Sequence, residues 1–201
     1  MAYLLRHTQL LPRHLITILN RIWEVQHNLD PLASLPITAH AVVEGLKQGE
    51  TEVVHDVIAA YKQVHPHAQL CCERLIPNLP MVFTEGDLHR GFNQNGIKKD
   101  TDLEFRELLR CLIEIGCIGR VTDADSHRRY IVGEFEYTRP GSLFVSGDER
   151  LCLHPVFAEV FGCRHSAARK NQLSAGERAT VRPIYPVGSD PATEADYRDA
   201  F

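Results

Sequence analysis

"DTDLEFRELLRCLIEIGCIGRV", residues 100–121, is the stretch from which the fold can be read. Leu108, Leu109, Leu112 and Ile113 recur at helical spacing and predict an amphipathic helix with one buried face. Gly116 stands where a helix end favours glycine, so the helix stops there. "CIGRV" and "RRYIVGEFEY" (residues 128–137) then read as two strands around the polar turn "TDADSH". A helix running directly into a β-hairpin is the pivot of the chain.

Upstream of this stretch, "TEGDLHRGFNQNG" (residues 84–96) opens on a Thr cap followed by acids and closes on Gly96, the marks of another helix. "LPMVF" (79–83) before it is a short strand, and "HAQLCCERLI" (67–76) is a helix that must end at Pro77. Helix, strand, helix, helix, hairpin is the order of a winged-helix domain, expected over residues 51–138 with the hairpin as its wing. "LCLHPVFAEVFG" (151–162) reads as a strand and short helix added to that domain, giving a third unit over 139–163. Residues 164–201 are polar, mix both charge signs and lack a sustained period, so a flexible tail is expected.

The first unit, residues 1–50, is expected to be a helical, lid-like segment. In "RHTQLLPRHLITILNRIW" (residues 6–23), Pro12 suits the first turn of a helix. Leu15, Ile18, Leu19, Ile22, Val25 and Leu29 then form its expected apolar stripe. Asp30-Pro31 breaks this helix. Thr38 caps a second through about Leu46, and "ETEVVHDVIAAYKQVH" (50–65) makes a third. The fold class is therefore mainly α with a small β-hairpin.

The leading segment carries Arg6, His7, Arg13, His14 and Arg21 before the first acid of the chain, Glu24, although the net charge is −4. A helix N-terminus already carries the positive end of the dipole, so an arginine in its first turn invites an anion rather than stabilising the isolated helix. Arg13, Arg6 and backbone N–H groups could hold one phosphate; the plainer alternative is a solvated basic turn.

The composition, 44% hydrophobic and 24% charged over 201 residues, is that of a globular chain with a packed core. The acidic balance argues against a protein that coats nucleic acid generally. No leader-like or membrane-spanning run is present in the given sequence, and the six cysteines sit in apolar patterns, so reduced thiols in a cytoplasmic protein are expected. His65, His67, Cys71 and Cys72, and the Cys152/His154 and Cys163/His165 pairs, lack the spacing of zinc ligands; no metal site is expected.

"YLLRHTQLLPRHLITILNRIW" (3–23), with "LLRCLIEIGCIGRV", "YIVGEFEY" and "LCLHPVF" downstream, resembles the C-terminal part of bacterial P-loop ATPases of the STAND or AAA+-like kind. In such ATPases a lid helix opens with a Pro-Arg motif near the nucleotide and a winged helix follows. The resemblance implies that Pro12 and Arg13, and by position Arg6, contact ATP or ADP with Mg²⁺ held mainly by a P-loop core in the same or another chain. It further implies that the winged helix contacts a protein partner. The chain itself has no G-x-x-x-x-G-K-[ST], and no Gly in it precedes a Lys, so it is not expected to hydrolyse ATP or to act as an enzyme alone.

The alternative is a free-standing winged-helix DNA-binding transcriptional regulator. The helix that would enter the major groove exposes Asp102, Glu104, Glu107 and Glu114 against Arg106 and Arg110, a poor match to phosphate. Lys98 and Lys99 in the preceding turn, and His127, Arg128 and Arg129 in the wing, are the better candidates for a nucleic-acid backbone.

Overall fold

A computed structural model of the chain describes residues 8–9, 11–29, 36–122, 130–138, 143, 145, 147, 149–163 and 180–183. Two long helices come first, α1 (Pro12–Leu29) and α2 (Ala39–Tyr61). Thr38 caps α2: its hydroxyl accepts from the Ala41 N–H at 3.2 Å and donates to the Gln26 side-chain carbonyl at 3.0 Å. As α2 ascends from Thr38 through Gly45 to Gly49, its neighbours on α1 descend from Gln26 through Ile22 to Ile18, so the helices are antiparallel.

The two glycines set this packing. A Cβ at Gly45 would lie 2.4 Å from the Ile22 Cα, and one at Gly49 would lie 2.9 Å from the Ile18 Cα. The α1 backbone therefore rests directly on the glycines, which fixes its rotation. The buried line is His14, Ile18, Ile22 and Gln26. This corrects the expected stripe: Leu19 and Leu29 are exposed, and His14 and Gln26, which lay outside it, are buried. The same contact explains why α2 is one helix rather than two. Glycine costs roughly 1 kcal/mol in a helix interior, but here larger side chains would push α1 away. The expected boundary at residue 50 thus falls inside α2.

α2 continues into the rest of the molecule, where Val53, Val54, Val57 and Ile58 join the main core. After it come α3 (Ala68–Leu75), a 3₁₀ turn (Ile76–Asn78), β1 (Val82–Thr84), α4 (Glu85–Gln94), α5 (Ile97–Thr101) and α6 (Phe105–Glu114). α4 starts on a reciprocal cap: Thr84 Oγ1 accepts from the Asp87 N–H at 3.2 Å and the Asp87 carboxylate accepts from the Thr84 N–H at 3.0 Å. The bond from the Thr84 N–H first, and the Thr84 hydroxyl donating to the same carboxylate at 2.8 Å second, hold the Asp87 carboxyl below the usual carboxylate range. α6 buries Leu108, Cys111, Leu112 and Ile113 and ends at Gly116, whose φ of 70° is the left-handed geometry glycine allows.

β2 (Ile118–Thr122) and β3 (Tyr130–Glu134) pair as the expected antiparallel hairpin, with Arg120 opposite Glu134. A second 3₁₀ turn (Glu136–Thr138), β4 (Arg150–Leu153), α7 (Pro155–Phe161) and β5 (Thr180–Pro183) complete the order. The sheet order is β1-β4-β2-β3-β5. β4 lies antiparallel between β1 and β2, with Cys152 opposite both Val82 and Gly119, so the stretch expected as an addition over 139–163 supplies a central strand. β5 runs parallel to β3, inside the region expected to be a flexible tail. Apart from that strand, the tail lies outside the described residues, as do Asp123–Arg129 of the wing turn. The molecule is mainly helical with one small sheet, and Phe157, Leu108, Leu112, Leu151 and Ile118 lie fully buried where helices meet strands.

Candidate functional site

The start of α1 is built by a short turn and one long-range tie. Thr8 and Gln9 are buried, and the Gln9 side-chain amide donates to the Ile115 carbonyl at 2.7 Å, at the end of α6. Gly116 makes room: a Cβ there would lie 2.6 Å from the Gln9 Nε2. Leu11 O accepts from the His14 N–H at 3.0 Å and opens the helix, with Pro12 as its first residue and no acid in the first turn. Pro12 and Arg13 are exposed, and Arg13 has no ion-pair partner among the described residues. Arg6 lies outside the described residues.

Beside Arg13, His14 is fully buried against α2. Its Nδ1 faces the Gln9 N–H at 3.5 Å, and its Nε2 has no hydrogen-bond partner among the described residues. Burial first, and the Arg13 charge second, push its pKa below 6.5, with Asp56 opposing, so the ring is neutral at pH 7. The local field at the start of α1 thus comes from Arg13 and the helix dipole, opposed by Asp56 of α2 but by no acid of the first turn. An anion is the charge that fits there.

The rest of α1 presents a second feature that hydrophobic periodicity hid. Ile16, Leu19 and Trp23 are 56%, 40% and 50% exposed and follow one another at i, i+3 and i+7, a single apolar stripe beside the α2 contact. The Gly45-x-x-x-Gly49 spacing was the available signal, since it fixes which side of α1 meets α2 and so which side is left outside.

The other sequence candidates are scattered. Lys98 pairs with Glu104 at 2.7 Å, across the turn before α6, and Lys99 is exposed. Arg128 and Arg129 lie outside the described residues. Of the cations near α6, Arg110 lies 3.8 Å from Glu114 and Arg74 pairs with Asp100 at 2.5 Å. Around α6, Lys98, Arg110 and Arg74 thus have carboxylate neighbours, while the exposed Lys99 and Arg106 have no ion-pair partner among the described residues. Glu114 also meets the buried His65 Nε2 at 2.6 Å, joining the end of α2 to the end of α6.

All six cysteines are buried free thiols. Burial pushes Cys71 and Cys152 up to about 12 and Cys163 to about 11, far from a thiolate nucleophile's range. Among the described residues no group of three His, Cys, Asp or Glu is placed to hold a metal ion, and no helix is long and apolar enough to cross a membrane. No family model, curated protein or solved structure matches the chain.

Proposed function

We propose that this chain is the lid and winged-helix part of a P-loop ATPase, and that the start of α1 contacts nucleotide phosphate held by a separate core. The observation that carries the reading is Arg13: it stands exposed at the positive end of an 18-residue helix, with no acid in the first turn and no ion-pair partner among the described residues. A phosphate there gains a charge-assisted hydrogen bond and the helix dipole together. Pro12 contributes by fixing φ at the first helical position, which sets the direction in which Arg13 leaves the turn.

The β1-β4-β2 order, with α3, α4 and α6 packed on it, supports the winged-helix reading. In that reading β4, not β3, is the strand returning from the wing, and β3 is an insertion on the far edge of β2. The pairing of Lys98, Arg110 and Arg74 with carboxylates around α6 favours a protein surface over a DNA backbone as its target.

The test assembles the chain with the P-loop protein of the same reading frame or a neighbouring gene and measures ADP retained after gel filtration. Arg13→Ala should weaken retention by about tenfold or more, the size expected for losing one charged hydrogen bond. Unchanged retention, or the lack of any P-loop protein that assembles with the chain, overturns the proposal.

A further inference from the structure

We infer that α1 pairs with α1 of a second copy of this chain, antiparallel, through the stripe of Ile16, Leu19 and Trp23. An 18-residue helix that fills one face and leaves three large apolar side chains in line on another has a second packing surface without an occupant among the described residues. The stripe is self-complementary. Turned about a two-fold axis near Leu19, it sets Ile16 against the second copy's Trp23, and Leu19 against Leu19.

Charge selects the direction. Arg13 and Glu24 are separated by about three helical turns, so they share one flank of the stripe, on the side away from α2. Parallel pairing would put the two copies of Arg13, and the two of Glu24, on opposite flanks of the seam, where neither charge meets its opposite. Antiparallel pairing brings each exposed Arg13 alongside the other copy's Glu24, twice by symmetry. Glu24 already accepts from Arg21 at 2.6 Å, and its carboxylate has lone pairs left for a second guanidinium. The inference does not rest on the nucleotide reading; where both hold, Arg13 serves either the phosphate or the second copy's carboxylate, not both at once.

Sedimentation velocity of the full chain over a concentration series reads the outcome. The wild type should reach a dimer, and Leu19→Glu and Ile16→Glu should each abolish it, with circular dichroism and the thermal midpoint showing that both variants remain folded. Arg13→Glu and Glu24→Arg should each weaken association several-fold, and the double variant should restore it, because the swap re-forms both pairs in the antiparallel arrangement only. A wild type that stays monomeric overturns the inference, as does a dimer indifferent to Leu19→Glu and Ile16→Glu. Single charge changes that the double variant fails to rescue overturn the antiparallel geometry. Capture of the stripe by a P-loop core, in a chain that never self-associates, also overturns it.

Discussion

Where α6 and α7 meet the sheet, Leu108, Leu112 and Phe157 are fully buried, and α4 starts on a reciprocal cap. In the α1–α2 hairpin the pattern is reversed: Trp23 and Val43 stand 50% and 68% exposed while His14 and Gln26 are buried. The helix–sheet unit is held by volume, many apolar side chains closing on each other. The hairpin is held by proximity, two backbones brought together over two glycines. The first kind of packing is complete in one chain. The second leaves α1 with an apolar face that no described residue covers.

Phe157→Ala should be the most damaging change, since it empties the centre of the volume-packed unit. A loss of about 3–5 kcal/mol is expected, read as a fall in the denaturant midpoint for the whole molecule. Gly45→Ala comes next, at about 1–3 kcal/mol, because the added methyl meets the Ile22 backbone and not a side chain that can turn away. Gly91→Ala is its control. There the nearest atom is the Leu75 Cδ2 at 3.3 Å, a side-chain methyl that must give only a few tenths of an ångström, and alanine gains helix propensity of about 1 kcal/mol, so the same substitution should cost clearly less in the same denaturation experiment. If both glycines behave alike, the distinction between packing by proximity and packing by volume fails.

Thr84→Ala should cost about 1 kcal/mol through loss of the α4 cap, with faster amide exchange in the first turn of α4 and none of that change in α1. Acid should act in the opposite place. Because the His14 pKa is lowered on folding, the unfolded chain binds the extra proton between the ordinary value of 6.5 and the lowered one, and stability falls as pH drops through that window. The opening free energy of α1, read from amide exchange corrected for its intrinsic pH dependence, should therefore fall more than that of α6 as pH drops below 6.5, and His14→Gln should flatten the difference. The smallest effect is expected from Arg13→Ala in the isolated chain, within about 0.5 kcal/mol by thermal melting. A large loss there would mean that Arg13 is structural and not available to a ligand.

What could be read from residues was local. The Thr84 and Asp87 cap, the buried face of α6 with its Gly116 stop, and the β2–β3 pairing all follow from side chains within a few positions of one another. What could not be read was set at a distance. The rotation of α1 depends on glycines beyond the loop, so Leu19 sat in the predicted core while His14 and Gln26 took the buried places. β4 reaches the centre of the sheet from beyond the hairpin, and a short apolar strand gives no sign of which neighbours it will find. Of the candidate site, the Pro12-Arg13 start was legible in composition alone; the apolar stripe beside it was not.

The bond from Gln9 to the Ile115 carbonyl links two positions that lie far apart in the chain, across the corner made by Gly116. That corner exists only once α6 has turned into the sheet, so the turn before α1 has this partner only when the long-range contacts are in place. The entropy of closing so long a loop is offset by that bond together with the burial of Thr8 and Gln9 and the contact of the Gln9 N–H with His14. Whatever shifts the end of α6 is therefore felt at the start of α1.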